Sequence, residues 1–255
     1  MRGARIILIF AFCLFAAPAS ADKKAKRVKF VPYSKLYGRE LCKNPDFRCV
    51  EIAKNIMWEK FWPDKAEREL IMKLNRLNVL LKGQMIVAVP KELAGKTLID
   101  FSPHPKKVES KGEKFVVFDP ALLAWAAYDK DGNLVRWGPA LGGQDYCEDI
   151  RRACRTVIGT FRVELKGNAN SRSSVYPLGC GSKKKPCAAM PCIMYFYKHL
   201  YGIHGSTQMI GYNASHGCVR TFADDAEWLN KHFTEIGTMV VVRPYPYPLK
   251  KWRKK

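Results

Sequence analysis

The sequence predicts a mainly β domain in its second half, preceded by a small α/β domain, and three patterns carry that expectation. From residue 113 onward short apolar runs alternate with turn residues, Asp131-Gly132 and Gly142-Gly143 among them, the pattern of strands joined by tight turns. Between Cys49 and Leu77 the apolar residues instead recur at helical spacing. A last apolar run in that first part, Met85 to Val89, follows the turn Lys82-Gly83 and ends at Pro90, which suits a closing strand.

Taken in order, the chain opens with a segment outside either domain. Arg2 and Arg5 precede an apolar run from Ile6 to Ala17, and Ala19-Ser20-Ala21 reads as a small-residue cleavage site, so residues 1–21 are expected to be a signal peptide. The run is short for a membrane span, although an uncleaved anchor is the competing reading. Residues 22–29 form a lysine-rich mature start. In residues 30–90 the positions Val50, Ala53, Ile56, Met57 and Phe61 predict one helix between Cys49 and Trp62. Pro63-Asp64 opens a second that turns Leu70, Ile71, Leu74 and Leu77 inward. Residues 91–112, rich in Pro, Lys and Ser, read as a linker crossing the surface of the next domain.

In residues 113–243 strands are expected at Phe115–Phe118, Leu122–Tyr128, Leu134–Trp137, Ile193–Tyr197 and Tyr201–His204. Thr221-x-x-Asp224 has the form of a capping box, so a helix should begin there and carry Ala226, Trp228, Leu229 and Phe233 inward. Thr238–Val242 would close the sheet. Residues 244–255 alternate Pro and Tyr and end in a basic run; no packed structure is required of them, and surface adhesion and solubilisation are the two readings.

Composition excludes some functions. At 47% hydrophobic residues the chain is globular, and its formal net charge of +21 becomes +19 once Arg2 and Arg5 leave with the leader. Such a charge would suggest nucleic acid in a cytosolic protein. Export argues against nucleic acid and in favour of loose electrostatic contact with the cell wall or a membrane surface in the periplasm or envelope. Lysine runs such as Lys183-Lys184-Lys185 can equally be a solvated surface. The cysteines agree with export: Cys42 and Cys49, Cys147 and Cys154, and Cys180 and Cys187 share one spacing and suggest three local disulfides. Cys192 could replace either Cys180 or Cys187. A zinc site competes, but the short spacing such a site favours is missing, so no metal is expected.

The chemistry concentrates in Tyr201–Arg220, YGIHGSTQMIGYNASHGCVR. A cysteine is nucleophilic as thiolate and needs a nearby base, which His204 or His216 offers to Cys218. His204-Gly205 would end a strand and Ser215-His216-Gly217-Cys218 would begin the next element, with imidazole and thiol facing across a hairpin. Gly217 allows close approach of a substrate carbonyl, and backbone N–H groups there suit an oxyanion. His204-Gly205 followed by Ser215-His216-Gly217-Cys218-Val219-Arg220 resembles the signature of the YkuD-type L,D-transpeptidases, and Thr156–Val163 resembles that family's TPxGxF strand. A shorter stretch, Leu74–Asn78 with Gly83–Pro90, resembles the second half of a LysM module without a clear opening strand; a small packing domain with no ligand is the alternative.

The resemblance implies an L,D-transpeptidase-like β-sandwich acting on peptidoglycan stem peptides as a monomer without a cofactor. It implies Cys218 as acyl-carrying nucleophile and His204 as general base. Ser215 and Gly217 would support the oxyanion and its loop, His216 would orient that loop, and Arg220 would position the loop or a substrate carboxylate. Ser206 and Tyr212 are candidates for lining the acceptor path. Whether the acceptor is an amine or water stays open, and a non-catalytic envelope adhesion protein is the reading from another class.

Overall fold

The computed structural model describes residues 36–249; the leader, the basic start and residues 250–255 lie outside the described residues. The first part contains α1 (Tyr37–Leu41), β1 (Phe47–Glu51), α2 (Trp58–Phe61), α3 (Lys65–Asn75) and β2 (Ile86–Pro90), with β1 and β2 antiparallel. The helix expected between Cys49 and Trp62 is therefore a strand followed by a single turn. Pairing with β2 decides the matter, since partners far apart in sequence override local spacing. Ile52, Trp58 and Trp62 are the buried residues there, whereas Met57, expected inward, is 54% exposed.

The helix α3 forms as its sequence predicts. The Asp64 carboxylate accepts the Glu67 N–H at 2.7 Å, satisfying one of the donors a helix start leaves unpaired. Arg76 ends the helix in the left-handed region at φ 58°, and Ile71 and Leu74 are buried.

Nine further strands follow: β3 (Phe115–Asp119), β4 (Ala124–Tyr128), β5 (Leu134–Leu141), β6 (Gly159–Arg162), β7 (Leu165–Lys166), β8 (Met194–Tyr197), β9 (Tyr201–Gly205), β10 (Val219–Thr221) and β11 (Met239–Val242). They form one sheet in the order β6-β11-β3-β4-β5-β10-β9-β8-β7. The sheet curls until its ends meet: Phe161 of β6 lies 5.6 Å from Phe196 of β8, ring centre to ring centre. One curled sheet thus supplies both layers of the expected sandwich. Its inner face holds Val116, Phe118, Trp125, Phe196, Ile203 and Val240. The alternate residues Phe115 and Val117 of β3 face outward onto Leu74 of α3, which is why β3 reads as an unbroken apolar run.

Three local expectations change. Thr221 does not cap a helix: its hydroxyl donates to the Pro139 carbonyl at 2.7 Å and accepts the Trp125 indole N–H at 2.9 Å. The helix α4 (Ala223–Trp228) starts after Phe222 with no side-chain cap. A buried indole and carbonyl have stronger need of the hydroxyl than a helix end near solvent. Ala226, Leu229 and Phe233 do turn inward. The expected strand over Thr156–Val163 shortens to β6, because the Thr156 hydroxyl and N–H are bound to Gly143 and Tyr245. The tail is packed at its start: Tyr245 is buried, its hydroxyl donating to the Gly143 carbonyl, and the Arg155 guanidinium lies over the rings of Tyr245 and Tyr247.

Residues 91–112 run along the sheet. Trp137 donates its indole N–H to Leu98, Tyr128 its hydroxyl to Pro105, and the Val108 N–H reaches Gly132. The first part also grips the sheet directly, since Lys73 and Arg136 meet the buried Asp225 of α4 at 2.8 and 2.7 Å. Among the described residues no helix is long and apolar enough to cross a membrane.

Candidate active site

Strands β9 and β10 lie side by side and parallel, Ile203 opposite Val219 and His204 opposite Arg220. The expected hairpin is thus a crossover. Parallel neighbours need a connection of about a dozen residues or more, which residues 206–218 supply. The first part of the chain clasps that crossover. Asn78 accepts the Met209 N–H and donates to the Ser206 carbonyl, and the Arg76 carbonyl accepts the Gly211 N–H.

The crossover ends in the nucleophile loop, and the end of β5 holds that loop. The Gly142 carbonyl accepts the N–H groups of Ala214 and Ser215, each at 3.0 Å, and the Gln144 N–H donates to the Ser215 carbonyl at 3.1 Å. Gly143 packs so closely on the Cys154 carbonyl that a Cβ would lie 1.7 Å from its oxygen. Ser215 is buried, and its hydroxyl donates to the Cys218 carbonyl while accepting the Gly217 N–H at 3.0 Å. Gly217 takes φ 125° with the Tyr201 ring 2.8 Å from where a Cβ would sit, so both backbone and space demand glycine. Its N–H, assigned from sequence to an oxyanion, is spent inside the loop.

One cavity of about 420 Å³ gathers most of the sequence candidates: His204, Ser206, Ser215, His216, Cys218 and Arg220 all line it. Tyr212 does not. It sits half-buried on the crossover, where burial pushes its phenol upward. Tyr176, Tyr195, Met190 and His199 complete much of the remaining wall.

The His204 imidazole is buried, and its Nδ1 lies 2.9 Å from the Gly205 carbonyl. That carbonyl can only accept, so Nδ1 carries the hydrogen and Nε2 is the basic nitrogen. Burial lowers this histidine to a pKa of about 4, with the Arg220 charge acting the same way against the opposing hydrogen bond to Gly205. Burial likewise pushes the Cys218 thiol up, partly offset by a backbone hydrogen bond at Gly202 and by Arg220. Its sulfur lies 3.4 Å from the Leu200 carbonyl. Burial thus disfavours the charged form of both groups.

His216 is held differently. Its Nε2 lies 2.9 and 2.8 Å from the two carboxylate oxygens of Asp149, and its ring centre is 4.1 Å from that of Tyr176. Neither partner stood out in the sequence; the signal available was that Asp149 falls between Cys147 and Cys154. These two are joined, as are Cys42 with Cys49 and Cys180 with Cys187, while Cys192 and Cys218 are free. Cys147, Asp149 and His216 place ligand atoms within 4.8 Å of one another, but the sulfur is spent in a disulfide and offers no thiolate to a metal.

A free cysteine at the end of the crossover and a buried histidine on β9 thus open on one cavity, the pairing that a cysteine-dependent enzyme requires. Residues 113–242 match the YkuD family, the L,D-transpeptidase catalytic domain, and the chain belongs to that family. Among solved structures it is similar to an L,D-transpeptidase from Xylanimonas cellulosilytica, with 25% identity, 68% of this chain and 76% of that one covered, and a TM-score of 0.47. It is similar also to one from Stackebrandtia nassauensis at 23% identity, 59% and 69% coverage and TM-score 0.42. A third, from Mycobacterium smegmatis, shows 17% identity, 65% coverage of each chain and TM-score 0.41. No curated protein matches the chain significantly.

Proposed function

We propose that this chain is an exported L,D-transpeptidase that cross-links or remodels peptidoglycan through an acyl-enzyme on Cys218. The observation that carries the reading is that Cys218, at the entry to β10, and His204, on the neighbouring β9, share the wall of one cavity, with the histidine neutral. The Cys218 sulfur attacks the carbonyl of the third residue of a tetrapeptide stem as its proton passes to Nε2 of His204. The Cys218 N–H serves the developing oxyanion, since that of Gly217 is occupied. The bond to the terminal D-alanine then breaks, its amine takes the proton from His204, and a thioester remains. An acceptor amine, deprotonated by His204, attacks the thioester and restores the thiol.

Export is supported by the three disulfides, which persist in oxidising compartments. The LysM-like reading of residues 30–90 gains from β1, the opening strand that the sequence did not reveal. The test is incubation of the mature protein with purified disaccharide-tetrapeptide, followed by mass spectrometry. Cross-linked dimers with loss of D-alanine are expected. Tripeptide alone would make water the acceptor and the protein an L,D-carboxypeptidase. Unchanged tetrapeptide from a well-folded protein would contradict the reading and favour the envelope adhesion role.

A further inference from the structure

His216 occupies a position that neither buried packing nor the chemistry assigned to His204 and Cys218 explains. It directly precedes Gly217-Cys218 and lines the cavity, yet its Nδ1 is buried with no hydrogen-bond partner among the described residues. A buried polar atom without a partner favours a ring swung out to water, so something must hold this ring in place. Two groups do. The Asp149 carboxylate takes Nε2 with both oxygens, and the Tyr176 ring covers one face. A carboxylate accepts only, so Nε2 carries the hydrogen and the tautomer is set.

Asp149 in turn is placed by a short loop with its own fastening. The Cys147–Cys154 disulfide closes that loop, and the Cys147 and Arg152 backbones exchange hydrogen bonds across it. Both cysteines are buried, and the loop's stem is the Gly142–Gln144 stretch that carries the backbone of Ser215. The loop thus touches the nucleophile segment twice, by main chain at Ser215 and by side chain at His216.

We infer that Asp149 is a positioning residue for the nucleophile loop, acting through His216 and held in register by the Cys147–Cys154 disulfide. The inference rests on Cys218 being the nucleophile. With the carboxylate in place the His216 ring stays in the cavity wall, and the backbone of Gly217 and Cys218 keeps the conformation in which Cys218 faces the substrate. Without it the ring is released, and the sulfur samples orientations that do not react.

The test follows carbapenem acylation by intact mass. Asp149→Ala should slow adduct formation about 10- to 100-fold, as loss of the orienting partner does for metal-bound imidazoles. Asp149→Asn, which keeps the size of the side chain, should lose less and serves if the alanine variant does not fold. The Cys147→Ser/Cys154→Ser variant should slow the reaction similarly. Combining it with Asp149→Ala should add little, because both changes remove one device. Long-range 1H–15N spectra should show the Nε2–H tautomer of His216 in the wild type and its loss in Asp149→Ala, a signature that general destabilisation would not give. Wild-type acylation rates in a folded Asp149→Ala, an unaltered His216 tautomer, or losses that multiply in the combined variant would overturn the inference. A wild type that forms no adduct would instead remove the reading of Cys218 itself.

Discussion

Strands β9 and β10 hold His204 and Arg220 through ladder register and bring in Cys218 just ahead of Val219, whereas Asp149 and Tyr176 reach His216 from segments outside the sheet. The two sides of the cavity therefore depend on different forces. On the strand side, position follows from main-chain pairing with the curled core behind it, and the chemistry follows from burial, which keeps His204 neutral. On the loop side, position follows from a disulfide and a carboxylate, devices that bring together residues with no regular pattern between them. Damage to the first should remove chemistry, and damage to the second should loosen it.

The largest effect is expected at His204. His204→Ala should slow carbapenem acylation by about two to four orders of magnitude, the contribution of a positioned general base, against the smaller loss expected at Asp149. Stopped-flow or mass-resolved kinetics would compare the two, and equal losses would erase the distinction between the sides.

Next is the support behind the strand side. Asp225 is fully buried against Gly138 of β5 and meets both Lys73 and Arg136. Loss of Asp225 leaves Lys73 with Asp224 at 2.6 Å and Arg136 with it at 3.7 Å, so Asp225→Ala should cost about 1.5 to 3 kcal/mol, the range for hydrogen bonds to charged groups, in thermal or denaturant unfolding. A shift below about 0.5 kcal/mol, the size typical of surface changes, would mean that the first part of the chain is fastened to the sheet by other contacts.

Acid should separate the sides further. His104 and His204 are both held at about 4 by burial, below the ordinary 6.5 that they regain on unfolding. The unfolded chain then binds more protons between those values, so stability is complete above pH 6.5 and falls as pH drops toward 4. Each histidine contributes at most about 1.4 kcal/mol per pH unit within that window. Acylation should keep an acid limb near pH 4 rather than 6.5, as long as the fold survives. A limb near 6.5 would show that His204 is not the neutral base described.

The smallest effect concerns binding. The full chain should sediment with purified sacculi at about 1 M salt, where the Debye length of roughly 3 Å leaves little attraction between separated charges. Release under those conditions would reduce the LysM-like part to electrostatic contact.

Legibility in the sequence follows the same division. The strands around Phe115, Ala124 and Met239 were readable because periodicity and turn residues are local, and His204 and Cys218 were readable because one short motif carries both. The parallel pairing of β9 with β10 was not, since a connection of that length permits either a long hairpin or a crossover. Strand β1 was hidden because Val50, Ala53 and Ile56 also fit a helix, and its partner lies far along the chain. Thr221 looked like a cap because its use by Trp125 and Pro139 depends on strands distant in sequence. Tyr176 had no pattern to betray it, and Asp149 only its place between Cys147 and Cys154. The hydrogen bond from the Gly217 N–H to the neighbouring Ser215 hydroxyl was likewise not announced by the motif.

The central claim is that Cys218, served by a neutral His204, carries the acyl group. It is tested most directly by treating the protein with a carbapenem and mapping the adduct by peptide mass spectrometry. One adduct per chain on Cys218 is expected, absent from Cys218→Ala and formed slowly in His204→Ala. No adduct on the folded wild type, or an adduct on Cys192, would contradict the account.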